Sequence, residues 1–210
     1  SLAHQKLDVI DLDIDFLAGS GHKLCGPTGI GFLWSRKEIL EKIPPLFGGG
    51  EMIQDVFEET STWAELPHKF EAGTPAIAEA IGLAEAINYI NNIGLNEIHE
   101  YEKTITKYLF EKLNQIENIE IIGPSPEIDP DRASLATFYI KNIHSNDIAE
   151  ILDSKGICIR SGHHCCQPLH RYIGIKSTAR ISMNFTTNKE EIDMFIEKLK
   201  DTIDFLKINS

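Results

Sequence analysis

No stretch of this sequence approaches the roughly 20 consecutive apolar residues that a membrane-spanning helix needs. Nor does its beginning show a basic flank followed by an apolar core, the mark of a secretory signal. Positive charge is scarce: 20 Lys and Arg stand against 32 Asp and Glu, a formal net charge of −12. That field repels phosphate backbones and anionic lipid, which argues against nucleic acid and membranes as partners. Cysteine is limited to four residues, Cys25, Cys158, Cys165 and Cys166, and an adjacent pair among histidines makes a poor disulfide framework. The expectation is a cytoplasmic protein whose thiols serve catalysis or metal binding. An initiator methionine is also missing, so Ser1-Leu2-Ala3-His4-Gln5 reads as a cut inside a longer protein. Internal repeats and low-complexity tracts are absent as well.

What remains is ordinary for a folded chain: 210 residues, 42% apolar and 25% charged. That length suits one large domain or two small ones. Residues 15–20 read as a buried strand ending in small polar residues, and 29–35 as a second strand. Ser35 and Glu38 form a capping box for a helix over 36–43, which Pro44-Pro45 stops. Gly48-Gly49-Gly50 opens a long irregular stretch. Over 76–92 the spacing of Ile77, Ile81, Ala84, Ile87 and the pair Tyr89-Ile90 suits a helix, with Gly94 as the stop, and a second helix covers 95–116. Strands near 119–122, 135–140, 157–160 and 179–183 alternate with helices at 145–154 and 189–206. This order describes a small α+β domain beginning near Gly73-Thr74-Pro75.

Four groups of residues could carry chemistry. Ser20-Gly21-His22-Lys23 follows a strand and precedes a glycine-rich turn; a partly desolvated amine there is a carbonyl nucleophile able to form a Schiff base, with Ser20 and His22 as donors to a phosphate. A solvated loop lysine is the plain alternative. Arg160-Ser161-Gly162-His163-His164-Cys165-Cys166-Gln167-Pro168-Leu169-His170 admits a metal site, a structural cysteine or an activated nucleophile. The nucleophile is favoured, because imidazoles and a guanidinium beside an exposed thiol stabilise its thiolate, whereas Cys158 inside a strand suits a buried apolar role. Arg180 interrupts an apolar strand and offers two parallel donors to a carboxylate, unless it simply points to solvent. Phe70-Glu71-Ala72-Gly73-Thr74-Pro75 could hold a phosphate or merely open a helix.

Taken together, and in this order, these motifs resemble the class V aminotransferases, specifically the SUF-type cysteine desulfurases that use pyridoxal 5′-phosphate. The resemblance implies an α/β fold: residues 1–72 would be the C-terminal part of the large cofactor-binding domain with its mixed sheet, and 73–210 a small α+β domain. By the same resemblance Lys23 carries the cofactor and moves protons at the substrate, while Ser20 and His22 hold the phosphate. Thr74 would reach the phosphate of the partner's cofactor in a homodimer. Cys165 would attack the sulfur of L-cysteine and hold the persulfide, leaving Cys166 without a role; Arg180 would clamp the substrate carboxylate and Arg160 support the nucleophile's loop. The stacking histidine, the aspartate that pairs with the pyridine nitrogen and a glutamine near the phenolic oxygen would precede Ser1.

The implied reaction releases L-alanine and passes persulfide sulfur to an acceptor protein of iron–sulfur assembly. Lys23 and Cys165 are expected to face a common cleft. Two alternatives stand beside this reading: a selenocysteine lyase acting on L-selenocysteine, and a catalytically silent fragment that serves only dimer or partner contacts.

Overall fold

A computed structural model describes residues 2–208, so Ser1, on which the reading of an internal cut rests, lies outside the described residues. The chain divides into two compact units, Ser1–Leu95 and Asn96–Ser210. Helices and strands intermingle in both, as an α/β chain requires.

In the first unit β1 (Phe16–Ser20) pairs antiparallel with β2 (Gly31–Ser35). Between them lies a single 3₁₀ turn, Gly21–Leu24, ended by Cys25 in the left-handed conformation. The Gly21 amide donates to the Ile30 carbonyl at 2.8 Å, and a β-carbon on Gly21 would sit only 2.9 Å from that oxygen. Glycine is therefore the residue that lets the turn close against the ladder. The expected buried strand is instead half exposed, because two strands cover too little of each face, and Phe16, Phe32 and Leu33 remain open to solvent.

Helix α1 (Lys37–Lys42) starts at Arg36 without a side-chain cap. The capping box read at Ser35 does not form: Ser35 ends β2, and its buried hydroxyl finds no partner. Within the stretch read as irregular, β3 (Ile53–Val56) and β4 (Ser61–Trp63) make a short antiparallel hairpin. Its shifted register and the polar pair Gln54-Asp55 hide the alternation from a sequence reading. Helix α2 (Ile77–Ile93) ends at Gly94 as expected. Ile90 is buried as its spacing suggests, together with Leu83, whereas Ile77 and Ile81 are exposed, so the first turns of the helix present a different face from the one the isoleucines mark. Leu83 packs beside Gly26, and Gly82 beside Pro27, which seats α2 on the turn after β1.

The second unit is a four-stranded antiparallel sheet in the order β5-β6-β8-β7, with helices α3 (Leu95–Leu113), α4 (Ser145–Ser154), α5 (Gln167–Ile173) and α6 (Lys189–Ile208). The strands are β5 (Ile119–Ile122), β6 (Leu135–Ile140), β7 (Arg160–Gly162) and β8 (Thr178–Ser182). Strict alternation in β6 sends Ala136, Phe138 and Ile140 into the core, where they meet Leu109 and Leu113 of α3, Leu152 of α4 and Leu199 of α6. Each such large side chain contributes roughly 1.5–3 kcal/mol by leaving water. A reciprocal capping box does occur, at the start of α6: Asn188 and Glu191 each accept the other's amide at 2.9 Å.

Two readings near the thiols are corrected. The strand expected over 157–160 begins only at Arg160, and Cys158 lies exposed before it rather than buried within it. Residues read as loop after Cys166 form α5, which Pro168 starts and Gly174 ends in a left-handed conformation. Among the described residues, no helix is long and apolar enough to cross a membrane.

Candidate active site

The first unit presents an amine. Lys23 stands on the turn after β1, and with Ser20 it lines a cavity of about 390 Å³ whose walls include His4, Leu17 and Leu24. The desolvated amine expected from sequence is not found: Lys23 is exposed, and it makes no ion pair among the described residues. His22 is exposed on the same turn. One primary amine, one hydroxyl and one imidazole on four consecutive residues fit a phosphorylated aldehyde, since the amine can take the carbonyl while the other two donate to phosphate.

Thr74 belongs to a different hollow. It follows Gly73, whose amide donates to the Gly50 carbonyl at 2.9 Å and whose φ of 81° favours glycine. Thr74 is exposed and lines a cavity of about 750 Å³ together with Gly31, Glu51, His68 and Glu71. Ser20 and Thr74, both read as phosphate donors, thus serve separate hollows of the same unit.

The second unit presents a thiol. After β7 the chain reverses in a four-residue turn closed by the Cys166 amide, which donates to the His163 carbonyl at 2.8 Å. Both central residues are left-handed, His164 at φ 51° and Cys165 at φ 62°. Two successive positive φ values are the pattern of a type I′ turn, which normally asks for Asn or Gly. With His and Cys there, each position costs on the order of 1 kcal/mol, so surrounding contacts must hold it.

Those contacts are specific. The Arg160 guanidinium donates to Cys165 Sγ at 3.4 Å on one side of the turn. On the other, His164 Nε2 lies 2.9 Å from the Thr178 hydroxyl, and His170 Nε2 lies 3.0 Å from the same oxygen. His170 Nδ1 reaches the Cys166 carbonyl at 3.1 Å, and its ring meets that of His163 edge-on with centroids 5.3 Å apart. Burial pushes the His164 imidazole below its ordinary value, and the Arg180 charge adds to that. By contrast, a hydrogen bond to the Asp153 carboxylate pushes the Cys158 thiol up.

Arg180 is placed by register. It lies directly opposite Arg160 across the β7–β8 ladder, so both guanidinium groups leave the same face of the sheet. Its Nε is buried without a partner, as is His164 Nδ1. The rest of the Arg180 guanidinium, on the same face as an exposed thiol, suits a small anionic ligand to whose carboxylate it would donate.

The structure therefore brings Arg160, Cys165 and Arg180 together in one unit and places Ser20, His22, Lys23 and Thr74 in the other. The sequence reading missed Thr178 and the use made of His170. A lone threonine at a strand start carries no pattern of its own. One signal was present: no Asp or Glu occurs between Asp153 and Glu190, although the chain as a whole is acidic.

Comparison with known proteins adds a lineage. The family described as Aminotransferase class-V matches residues 1–195. A probable cysteine desulfurase from Synechocystis is 53% identical over 205 residues, covering 98% of this chain and 49% of its own length. The cysteine desulfurase of Thermococcus onnurineus superposes with a TM-score of 0.90 at 38% identity, over 97% of this chain and 50% of that one. The cysteine desulfurase CsdA of Escherichia coli, solved with an S-sulfonic acid, gives 0.89 at 32% identity over 97% and 49%. The chain thus spans about half the length of the proteins it matches.

Proposed function

This chain belongs to the aminotransferase class-V family, and from that premise we propose that it is the C-terminal portion of a cysteine desulfurase. The reaction converts L-cysteine and a protein thiol into L-alanine and a protein persulfide. The observation that carries this reading is the Arg160 guanidinium 3.4 Å from Cys165 Sγ, with Arg180 opposite Arg160 on the neighbouring strand. A cation beside the sulfur accompanies the charge of an attacking thiolate, and a second cation on the same face receives the substrate carboxylate.

Lys23 would hold pyridoxal 5′-phosphate, which would supply an electron sink for chemistry at the substrate α-carbon. Ser20 and His22 would donate to its phosphate, and Thr74 would do so for the partner subunit in a homodimer. Lys23 moves protons at the substrate's α- and β-carbons. Cys165 attacks the substrate sulfur, and Arg160 steadies the turn that displays it. Arg180 orients the carboxylate. The persulfide on Cys165 passes to a sulfur-acceptor protein of iron–sulfur assembly, in the cytoplasm, where thiols stay reduced. We assign 1–72 to the large domain and 73–210 to the small one by parentage, although by its own contacts α2, within 73–210, groups with the first compact unit.

The test is alanine release from L-cysteine and from L-selenocysteine, with Cys165→Ala in parallel, alongside the absorption of bound cofactor with Lys23→Ala. The reading expects cofactor binding to vanish in Lys23→Ala and desulfuration to vanish in Cys165→Ala. Cysteine turnover that survives Cys165→Ala would favour a selenocysteine lyase, and failure to take up cofactor at all would mark a silent fragment.

A further inference from the structure

The Thr178 hydroxyl is fully buried, His170 is 5% exposed, and between them they tie β8 and α5 to the Cys165 turn. The direction of each hydrogen bond follows from what each atom can do. The Cys166 carbonyl can only accept, so His170 Nδ1 carries the proton of that 3.1 Å bond. No carboxylate contacts His170 among the described residues, and in a ring that carries its one proton on Nδ1 the Nε2 is an acceptor. The Thr178 hydroxyl donates to that nitrogen at 3.0 Å; the competing Gly162 carbonyl, at 3.5 Å, is too distant for a good O–H···O bond. Having spent its proton, the Thr178 oxygen accepts from His164 Nε2–H at 2.9 Å. His164 is thereby left with a bare Nδ1, the buried atom already noted as lacking a partner.

We propose that Thr178 is a positioning residue for Cys165: its hydroxyl locks His164 and His170 in opposite tautomers and so holds the two left-handed residues of the turn in place. The link to function rests on the reading of Cys165 as the reactive thiol; the tautomer lock itself does not. The mechanical case is that two successive non-glycine residues in the left-handed region are costly to hold, so an anchor on His164 keeps Cys165 Sγ within reach of Arg160. A hydroxyl is required for this, because the position must accept from one ring and donate to the other.

Histidine ¹⁵N spectroscopy on the full chain reads the tautomers directly, and peptide mapping after brief alkylation reads Cys165 against Cys158. In the unaltered chain His164 should appear as the Nε2–H form and His170 as the Nδ1–H form. Thr178→Val, which keeps the shape and loses the hydroxyl, should abolish the His164 assignment and lower the Cys165 to Cys158 alkylation ratio about tenfold, the worth of one hydrogen bond. Thr178→Ser should restore both. The proposal is overturned if His170 proves to be the Nε2–H form, if Thr178→Val leaves tautomers and ratio unchanged, or if Thr178→Ser behaves like Thr178→Val. Should Thr178→Val fail to fold, the tautomers of the unaltered chain and the Thr178→Ser ratio still decide. Loss of the desulfurase reading through an active Cys165→Ala would leave the tautomer result standing, so the two failures are distinguishable.

Discussion

Arg160 stands directly opposite Arg180 across the β7–β8 ladder, and its guanidinium reaches the Cys165 sulfur at 3.4 Å. Like charges facing each other on adjacent strands are unfavourable for a sheet, so stability does not account for the pair. The anionic sulfur and anionic ligand proposed for that face would.

Two of the four cysteines, Cys165 and Cys158, should differ in reactivity. Cys165 has a cation beside it, whereas Cys158 is hydrogen-bonded to a carboxylate that disfavours its thiolate. With limiting iodoacetamide at about pH 7.5, Cys165 should be modified first and Arg160→Ala should slow it roughly tenfold with Cys158 unaffected. Equal labelling of the two thiols in the unaltered chain would refute the role given to Arg160.

Arg180 should matter through geometry as well as charge. A carboxylate bound by two parallel N–H donors loses one of them when lysine replaces arginine. In the active enzyme, Arg180→Lys should raise KM for L-cysteine about tenfold and Arg180→Ala about a hundredfold, the range for charge-assisted hydrogen bonds. An unchanged KM in Arg180→Ala removes the carboxylate assignment.

Acid should loosen the second unit before its carboxylates titrate. His164 is held below its ordinary value of 6.5, so the unfolded chain binds a proton that the folded one resists. The sign follows: the contribution is complete above about 6.5 and is lost as pH falls through the folded value. The charged groups acting on His164 are Arg180 and Arg160, and both disfavour its protonation, as does any charge on His170. Asp131, Asp193 and Glu197 are held low and titrate beneath this window. Urea midpoints measured from about pH 8 to 5 should fall, and His164→Gln should flatten the slope; the same slope in both chains would contradict the assignment.

Packing of the second unit offers an independent check. Phe138 is fully buried at the centre of the sheet, 6.5 Å from the Phe195 ring centroid to centroid. Phe138→Ala should cost about 3–5 kcal/mol by calorimetry. Leu169→Ala, at a half-exposed position on α5, should change stability by less than about 0.5 kcal/mol. Similar losses in the two variants would mean the core is wrongly located.

Strong periodicity made most of the second unit legible in advance. The strand over 135–140 and helices α4 and α6 were read nearly to their ends, because their apolar spacing is maintained for several turns or alternations. Short elements escaped: β3 and β4 have three or four residues and a shifted register, and α5 has only seven. At the site, Lys23, Cys165, Arg160 and Arg180 stood out by residue type and motif. Thr178 did not, since its contribution comes from two hydrogen bonds to residues 8 and 14 positions away. Ser35 shows the converse error: its spacing to Glu38 fitted a cap, but the β2 ladder had already fixed where its hydroxyl lies.

The reversal at residues 163–166, pinned by Thr178 behind and running straight into α5, makes a stiff mount with a short arm. Any cargo gained by Cys165 lengthens that arm by a bond or so, and the mount cannot extend to follow it. A reagent that is to meet the exposed Cys165 sulfur must therefore come to it where the turn displays it.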